Sequence, residues 1–497
     1  MKTITFKNFG SKGLNSDILE TDHAFLTSGN NFKCRNGRVI TTHDFQQFDT
    51  VDPALKCGAI LEHFDKSLII THSAGIINNG LSVLTVAAVD ESLWTLTAFG
   101  QFTIANHPTA GIFYKSDANF IEMPWAVAEV FLQKQHTVRS FNNIIFCLSI
   151  VDDANAFTWS HPADNSGLPY SFDYDGSDLS SLAGYAQIAN GGKIVDGLQL
   201  GDSFIIYSEN AINTLNFTGG ELVFNRREIS STVGLLSKDC VVEVNNKHYF
   251  ISSDGDLKVF DGNNITSIFN NKIQDDFQQS LSSDYYTNTK LIHNIIDNEI
   301  SIAVSIESDC INKLFTYNYI ENTVSKRDLP ILTTSIAYSS EFINEATYDA
   351  TDVTFNSAIQ VFNSSTNTPL SHHIVIISDN NVMKSSDNNI VDESTNFIIE
   401  KLYFQLTDSA KNVQINECYL DILGEPFQTV SVQFGTAKSH DSAISWKPAY
   451  SYEIGKTRKI DMRSSGLFHC FRLSSNDAQH FEIAGLSLNI SENIASR

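Results

Sequence analysis

Asp173, Asp175 and Asp178 fall within one hexapeptide, DYDGSD, and carboxylates at that spacing can wrap a calcium ion. The glycine stands at the wrong place for a calcium loop, however, and no bidentate Glu closes it, so the segment reads as a solvated turn. His372 and His373 sit side by side in SHHIVIIS. Neighbours in a strand point to opposite faces, which makes one shared ion awkward and one buried, one exposed imidazole the simpler expectation. The chain holds no GxSxG elbow, HExxH helix, phosphate loop or dinucleotide fingerprint. No residue is therefore assigned to catalysis, to a metal or to a cofactor, and the chain is expected not to be an enzyme.

Glycoside hydrolysis would need two convergent carboxylates, or a tyrosine nucleophile with clustered arginines. SSDGDLKVF (252–260) is slightly similar to the aspartate box of sialidases but lacks its spacing and its Trp, and the arginines are dispersed. Aromatic content points the same way. There are 34 Phe against 4 Trp, and Phe fills cores, whereas sugar sites prefer Trp and Tyr with a ring face and a polar atom.

Charge sets a second boundary. Lys+Arg 33 against Asp+Glu 57 leaves a formal net charge of −24, the wrong sign for a protein that grips nucleic-acid phosphates. Against that background, NNFKCRNGRVITTHDF (30–45) places Arg35 and Arg38 opposite each other across an Asn36-Gly37 turn, the strongest hairpin signal in the chain. Opposed like charges are mildly destabilising, so the tip is a candidate docking element, within the subunit or onto a neighbour. Lys456, Arg458, Lys459 and Arg463 form a second basic run suited to an acidic neighbour. Glu209 is placed to pair with Arg226 or Arg227 on a neighbouring strand. Gly234, Gly255 and Gly262 are expected to supply positive φ in turns.

The elements that must carry these residues are short strands. GAILEHF, SLIITHS, IIFCLSI, DSFIIYS, CVVEVNN, KHYFISS, DLKVFDG, EISIAVSI and KLFTYNYI are rich in β-branched and aromatic residues and bounded by Asn, Asp and Gly. Their density predicts an all-β fold, a β-propeller of roughly six or seven irregular blades over 55–380. Longer alternating strands, NFIIEKLYFQL, VQINECYLDIL, TVSVQFG, HCFRLSS and HFEIAGLSLNI, predict a C-terminal β-sandwich over 395–497, with Phe471 and Leu473 on one face. Residues 1–54 read as an N-terminal helix and hairpin arm, and the polar stretch 380–395 as a linker. Helices are expected at 15–27, capped by Ser16 or Asp17, and at 265–281. Seven scattered cysteines without CxxC spacing predict buried thiols in a reducing compartment rather than disulfides or zinc. No run of about 18 apolar residues and no leader pattern is present, so the product is expected to be soluble and made in the cytoplasm.

One ordered series of motifs goes further. FTWSHPADNSGLPYSFDY (157–174), IVDGLQLGDSFIIYSENAINTLNFTG (194–219), FNRREISSTVGLL (224–236) and HYFISSDGDLKVFDGNNITSI (248–268) follow one another in an order that resembles the tail nozzle, or packaged-DNA stabilisation, proteins of short-tailed bacteriophages. The opening FGSKGLNSDILETDHAFLTSGNNFKCRNGRVITTHDF, the stretch VQFGTAKSHDSAISWKP with Trp446, and the closing IGKTRKIDMRSSGLFHCFRLSSNDAQHFEIAGLSLNI resemble the two ends of that family, with Arg458, Arg463, Gly466 and Arg472 on the closing pattern. His161 stands where the family often has Asp, and Leu467, Phe468 and His469 replace its arginine neighbourhood. The resemblance implies a non-enzymatic virion protein of the tail, synthesised in the host cytoplasm. It implies a homo-hexameric ring below the portal and its adaptor, with tail fibre or needle proteins as further partners. Double-stranded DNA would pass through the channel without sequence-specific binding, and an acidic lumen would keep it from sticking. The alternatives are a carbohydrate-binding or carbohydrate-hydrolysing propeller at the host surface, and a cellular propeller scaffold.

Overall fold

The computed structural model describes residues 2–17, 22–42, 45–52, 55–123, 135–173, 180–219, 222–342, 370–385, 396–407, 411–475 and 480–492. The fold is all-β. Five four-stranded antiparallel meanders, one seven-stranded sheet and two six-stranded sheets account for its strands. They fall into two compact units, one of Met1–Gln46, Leu235–Leu332 and Ser386–Arg497, the other of Gln47–Gly234 and Thr333–Ser385.

The second unit is a succession of propeller-type blades. Its first blade is Cys57–Glu62, Leu68–His72, Gly75–Asn78 and Leu81–Thr85, and three further meanders follow, beginning at Thr95–Phe99, Gln135–Phe141 and Ile194–Leu200. A fifth set joins the later half of the long strand Thr323–Phe342 to Leu370–Ser378, Asn381–Ser385 and the N-terminal strand Phe45–Thr50. Alternation along each inner strand explains why these sheets stack. In Ile144–Ile150, Phe146 and Leu148 pack toward Phe204 and Ile206 of the next blade, while Ile145 and Cys147 pack toward Ile104 and Ile112 of the previous one. Leu68 and Ile70 likewise meet Ala337, Val375 and Ile377, and Ile69 meets Trp94 and Ala105. A strand apolar on both faces must be covered on both, which is why these segments read as continuous hydrophobic runs. Phe146 and Phe204 stack at 4.2 Å between ring centres, at the middle of one such layer.

The first unit holds two more blade sets. One is Val241–Val244, Lys247–Ile251, Leu257–Phe260 and Ile265–Ser267; the other is Lys290–Asn294, Glu299–Val304, Ile311–Asn318 and the early half of Thr323–Phe342. Counting that long strand in both of its sets gives seven four-stranded sets among the described residues.

The sandwich lies in the same unit. One sheet runs Phe32–Arg35, Arg38–Thr41, Phe481–Glu492, Val413–Gly424, Ile460–Gly466, with Lys2–Lys7 also on Phe481–Glu492. The other runs Ser28–Asn30, Phe397–Phe404, Phe468–Ser475, Thr429–Ala437, Ser445–Trp446, with Tyr450–Glu453 on Thr429–Ala437. Aromatic edges join the two sheets: Phe397 meets Phe481 at 4.9 Å and Phe6 meets Phe404 at 6.4 Å. Phe471 and Leu473 both face this core.

Four expectations are corrected. Residues 1–54 are not a separate arm, because their strands complete both sandwich sheets and Phe45–Thr50 completes a blade. The 380–395 stretch is not all linker, since Asn381–Ser385 is a strand, with 386–395 outside the described residues. Residues 15–17 and 22–27 are not helical; instead Asp17 reaches a distant helix, accepting from the backbone N–H of Gln274 at 2.6 Å and of Asp275 at 3.3 Å. The 265–281 segment is helical only over Gln274–Ser280, its first residues being strand. Asp17 therefore caps a helix, but from some 250 positions away, because the helix's own cap residue, Ile273, has no side-chain acceptor. Asp17→Ala is expected to cost about 0.5–2 kcal/mol, read as a lowered urea midpoint of the full chain with an unchanged slope.

Candidate functional site

The hairpin Phe32–Arg35/Arg38–Thr41 turns through Asn36 (φ 53) and Gly37 (φ 73), the pair of left-handed residues that a type I′ turn requires. Phe32 and Cys34 point into the sandwich core, so Lys33 and Arg35 face the other way. Burial pushes the Cys34 thiol well above its usual range, which makes it inert. Lys33 Nζ lies 3.0 Å from Glu299 and 3.7 Å from Asp297, and Arg35 pairs with Asp297. Asn36 N–H donates to Glu321 at 2.9 Å. Across the hairpin, Arg38 donates to Glu482 of the adjoining sandwich strand at 2.6 Å.

Arg35 and Arg38 are register partners, yet each is claimed by a different carboxylate. The tip thus docks inside its own chain, bracing the blade turn around Asp297 against the sandwich. The largest influence on Asp297 is burial, which raises its pKa; Lys33 and Arg35 together outweigh it and leave the carboxyl below its usual value. A carboxylate with a depressed folded-state pKa stabilises the fold above its unfolded value, and that stabilisation is lost as pH falls through the folded one.

The remaining motif residues sort themselves by strand geometry. Arg472 forms part of a ladder across one sandwich sheet. Its guanidinium lies 4.3 Å over the Trp446 ring, its Nε donates to Glu400 at 2.6 Å, and Glu400 in turn accepts from Ser28 at 2.5 Å. Lys456 pairs with Glu453 at 2.7 Å, and Lys459 with Glu417 at 2.6 Å and Asp461 at 2.9 Å. The bonds from Lys459, Asn489 and Tyr419 pull the Glu417 pKa down to about 2. Arg458 and Arg463 are exposed and have no ion-pair partner among the described residues. Arg463 lies on Ile460–Gly466, the edge of its sheet, where charge discourages strand addition.

Glu209 pairs with Lys193 at 3.5 Å rather than with Arg226 or Arg227, which are exposed on the outer strand Phe224–Ser230. Gly255 (φ 73) and Gly262 (φ 94) are left-handed as expected, but Gly234 is not. A Cβ at Gly234 would stand 2.0 Å from the Glu209 carbonyl oxygen, so the need there is close backbone approach. His161 accepts from Leu182 N–H at 3.0 Å and packs on Tyr170 at 4.4 Å, fastening the two ends of its loop. Asp175 and Asp178 lie outside the described residues, as does the His372 side chain; His373 is buried and its ring bonds the Ser385 carbonyl at 2.7 Å.

One cluster escaped the sequence reading. Arg139 and Asp196, on the first strands of consecutive blades, form a buried two-pronged pair at 2.7 Å for each prong, and Arg139 also reaches the Leu96 carbonyl at 3.5 Å. A lone charge inside each apolar strand, HTVRSF and IVDGLQL, was the signal. Three blades share this brace. All seven cysteines are free thiols; six are buried and Cys310 is half-buried. Among the described residues no group of three or more His, Cys, Asp or Glu is arranged to hold a metal, and no helix is long and apolar enough to cross a membrane.

No family model matches the chain, and no curated protein does. Solved structures with partial likeness include the PorZ component of the type-IX secretion system of Porphyromonas gingivalis, at 11% identity and TM-score 0.33, covering 83% of this chain and 46% of that one. YCF48 bound to D1 peptide matches at 9% identity and TM-score 0.34, over 73% of this chain and 97% of that one. An exo-beta-1,3-galactanase from Phanerochaete chrysosporium matches at 8% identity and TM-score 0.28, over 81% and 97%. The chain thus spans about half the length of the PorZ structure. At such scores the fold assignment rests on the sheet topology alone.

Two outcomes follow. Arg35→Ser with Arg38→Ser is expected to lower stability by on the order of 1–2 kcal/mol at pH 7, the pairs being partly exposed, and to lose most of that difference when denaturation is repeated below the Asp297 titration. Burial pulls the His469 imidazole from 6.5 down to about 4. A base with a depressed folded-state pKa stabilises above its unfolded value, so stability falls between pH 6.5 and about 4, by at most about 3 kcal/mol from this residue. His469→Leu flattens that stretch of the stability–pH curve.

Proposed function

We propose that this protein is a structural, non-enzymatic ring component of a short-tailed phage tail, placed below the portal and adaptor, which retains packaged DNA and gives it an acidic exit route. The observation that carries this reading is the ordered series of nozzle-like motifs along almost the whole chain. Its supporting features are of one kind. The motif residues are engaged in turns, ladders and braces: Asn36-Gly37 in a hairpin turn, Arg472 over Trp446, His161 in a loop clasp. Cations at Arg35, Arg38, Lys459 and Arg472 are paired with the chain's own carboxylates, and a net charge of −24 repels phosphates.

Negative-stain imaging of the purified protein, alone and mixed with the portal and adaptor of the same virus, tests the reading. Rings of one symmetry that add to the portal–adaptor stack are expected. A protein that stays monomeric in both samples, or one that releases sugar from host envelope material, contradicts it.

A further inference from the structure

The aromatic layers between blades of the second unit are built of Phe: Phe141, Phe146, Phe204 and Phe224 meet ring to ring. One seam of the first unit is built of Tyr instead. Tyr249, on Lys247–Ile251, faces Tyr317 and Tyr319, at and just beyond the end of Ile311–Asn318, with ring centres 6.3 and 6.2 Å apart. Register puts His293, Ile300 and Tyr317 in one row on the sheet face, and Tyr319, two residues on, keeps that face. His293 lies 3.3 Å from the Tyr319 hydroxyl, which donates to Asn298 at 3.1 Å. Tyr249 and Tyr319 are partly exposed, and the Tyr249 hydroxyl has no hydrogen-bond partner among the described residues.

A cation closes one end of this row. Lys272 is half-buried, with its Nζ 5.9 Å from the centre of the Tyr317 ring. That ammonium donates to Asn322 Oδ1 at 2.7 Å, and the same oxygen accepts from the Tyr317 hydroxyl at 3.1 Å. Unlike Lys33, Arg35, Arg139 or Lys459, Lys272 has no ion-pair partner among the described residues. Burial lowers its pKa. At the other end, the charge of Glu243 acts on His293. The carboxylates that flank the seam, Glu243 and Glu321, are bonded to the backbone N–H of Asn246 at 2.6 Å and of Asn36 at 2.9 Å, which leaves Lys272 as its uncommitted charge. Ile320, 67% exposed, stands in the turn between Tyr319 and Asn322.

We infer that this tyrosine seam is a saccharide-binding site for an acidic sugar, with the sugar's carboxylate at Lys272 and its ring faces on Tyr249 and Tyr319. Phe would fill the seam as well and would bring no hydroxyl to desolvate. Tyr supplies a ring face and a polar atom together, which is what a sugar ring requires. An apolar wall with a few convergent polar groups is the usual make-up of a small-ligand site. The ammonium of Lys272 has donors to spare beyond its bond to Asn322, and a carboxylate placed there forms charge-assisted hydrogen bonds and offsets the cost of burying the cation. Sugar hydroxyls suit the other end, where His293 and Asn298 cluster at the Tyr319 hydroxyl. The site does not depend on the ring reading above.

Calorimetric titration of the full chain with uronic and sialic acid oligosaccharides, and with the same oligosaccharides after reduction of their carboxyl groups, tests this. An acidic oligosaccharide is expected to bind saturably, and about tenfold more tightly than its reduced form. Tyr249→Phe removes a hydroxyl that bonds nothing in the described fold. It is expected to leave the melting temperature unchanged and to weaken binding about threefold, the worth of one hydrogen bond. Lys272→Gln is expected to erase the difference between acidic and reduced sugars. The inference is overturned if no acidic oligosaccharide binds, or if both variants bind it like the wild type. Inorganic phosphate or an Asp/Glu-rich peptide that binds the site as tightly as the sugar also overturns it.

Discussion

Every cation on the first hairpin has to meet a carboxylate, and this neutralisation is what the first structural unit depends on. Phe32 and Cys34 can enter the sandwich core only if Lys33 and Arg35 project from the opposite face. That face meets Asp297 and Glu299 at the turn of a blade, and Glu299 is almost fully enclosed. A buried carboxylate without a cation would be costly, so Lys33 is as necessary to the blade as the blade is to the hairpin. Arg38 closes the other side on Glu482. The N-terminal residues are thereby committed to pairing with strands about 370 to 490 positions later, and both sandwich sheets are incomplete without them.

The blades answer a different constraint. In the second unit the inner strands are apolar on both faces, so none can stand alone, and they gain their cover from neighbouring sheets of that unit. Polar interruptions inside those layers must be satisfied locally. Arg139 and Asp196 do this across consecutive blades with two parallel hydrogen bonds, and the pair fixes the register in which those blades meet. Together these arrangements pair Lys33, Arg35, Arg38 and Arg139 with the chain's own carboxylates. What remains on the surface is dominated by carboxylate, with Arg458 and Arg463 among the exceptions.

How much of this was legible follows from how local each determinant is. Runs such as IIFCLSI and SLIITHS announced strands because both faces of each are covered by neighbours, and Asn36-Gly37 announced its turn because two adjacent left-handed residues are chemically restricted. The partners were not legible. Asp17 reads as the cap of its own segment, yet it caps Gln274–Ser280, and the choice was decided by a helix start that lacked an acceptor. Gly234 was expected to adopt positive φ, whereas the approach of the Glu209 backbone is what excludes a side chain there. Glu209 was expected to meet Arg226 or Arg227, but its strand ends beside Lys193. The two opposed arginines did mark a docking tip, and only the fold could say that the dock lies within the chain.

The ring role proposed above requires an assembled surface that lets DNA pass without holding it, as a net charge of −24 favours. Equilibrium binding of a short double-stranded DNA to the assembled protein, measured from about 50 to 200 mM salt, tests this most directly. The account predicts no measurable retention even at the low-salt end, and no dependence of binding on salt. Tight binding that weakens steeply with added salt, the signature of many phosphate contacts, would contradict it.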